Sequence, residues 1–131
     1  MAPSIAWIED DINIIYPVIE PLKKEGYNII EFSEIPKDED TIRSLKNVDL
    51  ILLDMIMLPD DEGTDTHVKF AGLEFLNRLR KQYKIEVPAI ILSVVPKIEN
   101  ITNDLNVLDI LTKPVSSIRL RDRIKQALEK V

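Results

Sequence analysis

Asp49-Leu50-Ile51-Leu52-Leu53-Asp54 sets four apolar residues between two aspartates. The apolar positions are consecutive, so neither face of an extended chain is left for water. Parallel strands covered by helices on both sides read this way, whereas one-sided antiparallel strands alternate. Ala89-Ile90-Ile91-Leu92-Ser93 has the same character. Outward from this pair, apolar runs at residues 4–8, 27–32 and 107–111 join those at 49–55 and 89–95 as five candidate strands.

The stretches between them carry helical spacing. Leu73, Phe75, Leu76 and Leu79 share one side of a helix over residues 72–82, and Ile118, Arg121, Ile124 and Leu128 do so over residues 117–131, with Ser116 or Ser117 as cap. A first helix over residues 13–24 contains Pro17 and Pro21 and ends at Gly26. Pro17 suits a first turn, while Pro21 removes a backbone bond and predicts a kink. Residues 96–106, with Asn100, Asn103 and Asn106, make a weak helix candidate. Five strand–helix units in succession imply an α/β sandwich on a parallel sheet, since parallel strands need covering crossovers. The expected architecture is a flavodoxin-like, doubly wound (βα)5 sandwich with strand order 2-1-3-4-5.

Composition agrees with one compact domain over residues 1–131, with 45% hydrophobic and 31% charged residues. No apolar run is long enough for a membrane span, and the N-terminus leads into a strand without a signal-peptide pattern. A cytoplasmic location fits. The absence of cysteine excludes a disulfide framework and thiolate metal sites. A net charge of −6 argues against direct nucleic-acid binding, which needs a basic face. The same acidity suits carboxylates gathered around a cation.

Glu9, Asp10 and Asp11 follow the first strand, Asp54 ends the third, Ser93 ends the fourth, and Lys113-Pro114 follows the fifth. In a doubly wound sheet all lie at the carboxyl edge, where ligands bind. Strands one and three are neighbours in this order, so Glu9, Asp10 and Asp54 converge. Three carboxylates so close repel one another and call for a cation. Oxygen-only ligands select a hard cation, Mg²⁺ above all. A lysine and a hydroxyl at the rim supply what a transferred phosphoryl group needs, with Asp54 as the nucleophile that forms an acyl phosphate.

Ile8-Glu9-Asp10-Asp11, Leu52-Leu53-Asp54-Met55, Ile91-Leu92-Ser93 and Leu111-Thr112-Lys113-Pro114 resemble, in order and near spacing, the motifs of the receiver domain of two-component response regulators. Each is weak alone; together, each at a strand end, they are specific. The resemblance implies Asp54 as phosphoacceptor, Asp10 as direct metal ligand, Glu9 as the second acid and the backbone carbonyl of Ile56 as a further metal ligand. It also implies Ser93 as switch hydroxyl and Lys113 as the phosphate-contacting lysine. The implied partners are a histidine kinase or histidine phosphotransfer protein as donor and a downstream protein as receiver of the signal.

The pattern is not followed throughout. The stretch before Gly72 is longer than the family's usual loop by about ten residues, and its 58–69 portion is acidic (Asp60, Asp61, Glu62, Asp65), an arrangement suited to screening donors. Ile110 stands where an aromatic is frequent, and Val94 where a small residue is usual. Ile56 and Val95, two positions after Asp54 and Ser93, are apolar and unable to orient a hydrolytic water, so a long-lived phosphoryl group is expected.

Plainer readings exist for each residue. Glu9 and Asp10 are otherwise a solvated loop leading to a helix cap, Asp54 a strand terminus, Ser93 a strand-end hydroxyl and Lys113-Pro114 a strand breaker. His67 matches no metal motif, Trp7 reads as core, and Arg119, Arg121, Arg123 and Lys125 read as a solvated helix face. Two other functions compete: a receiver-fold docking module that no longer switches, and an aspartate-nucleophile phosphatase of the haloacid dehalogenase type. The latter wants an acid where Ile56 stands.

Overall fold

The computed structural model describes residues 2–10, 12–54, 71–93 and 105–129, with the backbone alone for 12–15. Five strands, β1 (Ser4–Ile8), β2 (Asn28–Phe32), β3 (Leu50–Asp54), β4 (Ala89–Ser93) and β5 (Val107–Thr112), form one parallel sheet in the order β2-β1-β3-β4-β5. The described helices are α1 (Ile12–Lys24), α2 (Glu39–Ser44), α3 (Ala71–Lys81) and α4 (Ser117–Glu129), with a 3-10 turn at Leu45–Asn47. The expected flavodoxin-like fold and strand order are those observed. The helix candidate at 96–106 falls largely outside the described residues, as do Asp11, the 58–69 loop, His67, Ile56, Val94 and Val95.

Leu50, Ile51, Leu52 and Leu53 are fully buried, as their unbroken apolar run requires. Alternate residues serve two cores. Ala6, Ile8, Ile51, Leu53 and Ile91 pack with Ile42, Phe75, Leu76 and Leu79 on the side of α2 and α3. Ile5, Trp7, Leu50, Leu52, Ile90 and Leu92 pack with Val18, Ile19, Leu22, Leu120 and Ile124 on the side of α1 and α4. Trp7 is core, as expected from its place in the first apolar run.

Local signals set the helix ends. α1 runs continuously through Pro17 and Pro21. Pro17 is not in the first turn: the helix begins at Ile12, which places it in the second, where packing of Val18, Ile19 and Leu22 holds the helix despite the missing donor. Gly26, at φ +100°, turns the chain out. Its N–H donates to Lys23 O and that of Tyr27 to Leu22 O, a Schellman closure that needs a left-handed residue. Asp38 caps α2, its carboxylate accepting from Thr41 N at 3.0 Å. Ser116 caps α4 through Arg119 N at 3.1 Å, as expected.

The buried stripe of α4 is Leu120, Ile124 and Ala127, and Ile118 is 63% exposed. Ile118 was expected to face the core; Leu120 takes that place, since Leu120, Ile124 and Ala127 make a stripe without a charged residue, and Leu128 packs beside them. Arg123 pairs with Asp109 of β5 at 2.9 Å, and Lys125 with Glu25 beyond α1 at 3.1 Å. These two basic residues are ion-paired yet stay 38% and 43% exposed, so the charges lie on the mostly solvated face expected of them. Asp109 gains its position from a bulge: Ala89 pairs with Val107 and Ile90 with Asp109, leaving Leu108 between them.

Arg80 of α3 is buried among main-chain acceptors. Its Nε donates to Leu105 O at 2.8 Å, its Nη1 to Ile85 O at 2.7 Å and its Nη2 to Asn106 O at 3.4 Å. Asn106, at φ +56°, donates through Nδ2 to Glu86 O at 2.7 Å. The start of β5 is thereby fastened to the end of α3, beneath the sheet edge opposite the acidic cluster.

Candidate functional site

Register brings the carboxyl edge together. Ile8 pairs with Leu53, so one further step along β1 sets Glu9 opposite Asp54; the backbone N–H of Glu9 donates to Phe32 O at 3.0 Å, holding the chain in line. Asp54 pairs with Leu92, placing Ser93 one step beyond it. Ser93 pairs with Thr112, and Lys113 N donates to Ser93 O at 2.7 Å, extending the ladder to the lysine. The Lys113–Pro114 peptide is cis.

Glu9 is fully buried, Asp54 is 5% and Ser93 1% exposed, while Asp10 faces solvent. Each of the three acids offers a carboxylate oxygen within 4.8 Å of the others. Lys113 Nζ is 3.1 Å from Glu9 Oε2 and 3.3 Å from Asp54 Oδ1. Two carboxylates taken from water at this depth need a positive partner, and the ammonium supplies it. Burial works against the charge on Lys113, but the neighbouring carboxylates of Glu9 and Asp54 outweigh it and raise its pKa above the ordinary lysine value.

Glu9, Asp10, Asp54, Ser93 and Lys113 thus lie at one edge, as the strand-end argument requires. Ile56 lies outside the described residues. All three candidate ligands are hard oxygens, one exposed and two buried, a donor set that fits Mg²⁺ better than a softer metal. What sequence reasoning missed is the bond between Lys113 and Glu9. The lysine was expected to serve the phosphoryl group, and no spacing signals that it also neutralises the first-strand acid.

A family model for the response regulator receiver domain matches residues 5–125. The chain belongs to that family: it is a receiver domain of two-component signalling, a regulatory module that meets phosphodonors and downstream partners. Among solved structures it is similar to a response regulator from Desulfuromonas acetoxidans, with 27% identity, TM-score 0.72 and 98% of each chain covered. The receiver domain of the Francisella response regulator 1452 is similar at 25% identity and TM-score 0.73, again with 98% of each chain covered. A CheY-like receiver domain protein from Methanospirillum hungatei shares the fold at 23% identity and TM-score 0.73, with 99% of this chain and 96% of that one covered. No curated protein matches. Among the described residues no helix is long and apolar enough to cross a membrane.

Proposed function

We propose that residues 1–131 act as one phosphoacceptor domain of a phosphorelay, taking a phosphoryl group on Asp54 in a Mg²⁺-dependent reaction. The observation that carries this reading is Asp54 itself, 5% exposed at the end of β3 with an ammonium 3.3 Å from its Oδ1. The donor is a histidine kinase or histidine phosphotransfer protein, and the location is the cytoplasm. The phosphorus–nitrogen bond of the donor's phosphoimidazole breaks as a phosphorus–oxygen bond to Asp54 forms, and the leaving imidazole takes up a proton.

Glu9, Asp10 and Asp54, with the backbone carbonyl of Ile56, would hold the cation. When bound, it supplies positive charge against the phosphoryl oxygens. Lys113 neutralises a further oxygen and Ser93 donates a hydrogen bond, so the charge developing during transfer meets groups already in position. A downstream protein then reads the altered surface. The domain is a regulator, and any self-phosphorylation from small donors or slow loss of the phosphoryl group is incidental to that role. Retention of Asp54, Ser93 and Lys113 together does not favour a docking module without phosphorylation.

The test is intact-mass analysis after incubation with acetyl phosphate, with and without Mg²⁺. A covalent phosphoryl adduct that needs Mg²⁺ and is lost in Asp54→Asn supports the reading. An unmodified wild type, or an adduct that survives in Asp54→Asn, overturns it.

A further inference from the structure

The geometry points to a docking surface at the free edge of β2, where an extended, basic segment of a partner protein adds a further strand to the sheet. β2 has a strand on one side only. A residue of a parallel strand points its N–H and C=O to the same side. Asn28 N donates to Pro3 O and Phe32 O accepts from Glu9 N, so these residues face β1 and the main-chain groups of Ile29 and Glu31 face outward. An edge of this kind is a template for another strand. Ile30, on the same edge, is 39% exposed and offers an apolar contact. The opposite edge is closed by contrast: Ile110 N of β5 donates to Asp109 Oδ1 at 3.0 Å, and Arg123 holds that same carboxylate.

The chemistry of the segment follows from a cleft of about 400 Å³ that continues the strand along residues 31–38 and Thr41. Phe32, Ile35 and Pro36 give it an apolar lining, and the first two also pack against the core. Three acids line it, Glu31, Glu34 and Asp38, against one base, Lys37. Glu31 and Glu34 are exposed and, among the described residues, take part in no ion pair. Among the described residues only Glu9, Asp10 and Asp54 bring three carboxylate oxygens within 4.8 Å, so the acids of the cleft stand too far apart for one metal ion. They suit guanidinium or ammonium groups spaced along a peptide. A second copy of this chain does not fit, because two β2 edges brought together would set these acids against one another. The surface adjoins the acidic site through the Glu9–Phe32 bond but does not depend on a phosphoryl group.

Fluorescence anisotropy on the full chain, at about 0.15 M salt, tests this with a fluorescein-labelled hexapeptide of alternating arginine and valine. Wild type should bind it, and Glu31→Lys combined with Glu34→Lys should weaken binding about tenfold or more. Asp122→Lys combined with Glu129→Lys makes the same change of charge at exposed positions of α4 and should alter binding by no more than about twofold. The same peptide with every amide N-methylated keeps its charge but cannot pair as a strand, and should bind about tenfold more weakly. Amide hydrogen exchange at Ile29 and Glu31 should slow in the complex. No binding by wild type, equal loss in the two charge variants, undiminished binding of the N-methylated peptide, or unchanged exchange at Ile29 and Glu31 overturns the inference. So does a self-associated dimer in place of the peptide complex on size exclusion.

Discussion

Lys113 Nζ and Glu9 Oε2, 3.1 Å apart, join positions separated by 104 residues. The contact closes the sheet's carboxyl edge from the exit of β1 to the exit of β5, across the end of β3. It also decides how the site behaves when no cation is present.

Removing the ammonium should be costly. Lys113→Met removes an ammonium from beside two buried carboxylates, a loss of about 3 kcal/mol. Urea unfolding without divalent cations, followed by Trp7 fluorescence, measures it. The pH dependence has a defined sign. The folded-state pKa of Lys113 is raised, so its stabilisation is complete below the unfolded value near 10.5 and is lost as pH climbs through the higher folded value. The stability gap between wild type and Lys113→Met should hold at neutral pH and shrink only at pH above about 10.5.

Asp10 is exposed, in contrast to Glu9 and Asp54. Asp10→Asn should therefore change unfolding free energy by no more than about 0.5 kcal/mol. It should nevertheless weaken Mg²⁺ binding by about tenfold or more, because a charged ligand becomes neutral. Paired urea and calorimetric titrations separate the two effects. Unaltered Mg²⁺ affinity would remove Asp10 from the ligand set.

Arg80 donates to three backbone carbonyls from a buried position. Burial lowers its pKa and Glu86 works in the opposite direction. Arg80→Met strands these acceptors and should cost about 3 kcal/mol. Arg80→Lys, with one ammonium in place of a planar fork, should recover only part of this. Hydrogen exchange should report faster opening of β5 in both variants, since the turn at Leu105 and Asn106 loses its anchor.

Ile56 and Val95 bear on the lifetime of the acyl phosphate through residue chemistry alone. Neither can orient a water, so dephosphorylation after donor removal should be slow. Ile56→Asn combined with Val95→Glu should shorten the half-life by about tenfold or more. A wild type that loses its phosphoryl group as quickly as the double variant would dismiss this expectation.

How far the chain could be read depended on whether local pattern or tertiary contact decided each feature. β3 and β4 were legible because burial on both faces leaves an unbroken apolar run. Glu9, Asp10, Asp54, Ser93 and Lys113 were legible because strand ends in a doubly wound sheet share one edge. The phase of α4 was not. A stripe through Ile118, Arg121 and Ile124 and one through Leu120, Ile124 and Ala127 both have helical spacing, and packing against Ile5, Trp7, Leu52 and Leu92 of the sheet takes the second, which carries no charge. Arg80 was hidden for a similar reason. A basic residue in the last turn of a helix ordinarily reads as solvated and favourable to the dipole, and the carbonyls that receive it belong to turns with no signature of their own.

Because every bond that Arg80 makes among the described residues is to main chain, these bonds do not depend on the side chains at 85, 105 and 106. Ile85 and Leu105 are held by their own burial in the core and Asn106 by its bond to Glu86 O and its positive φ, but none of the three owes its side chain to the fastening. The constraint falls on the single residue that holds, and on the path of the chain it holds. A substitution that leaves this path unchanged therefore leaves β5 anchored, whatever side chain it brings, at the end of the sheet away from the acidic edge.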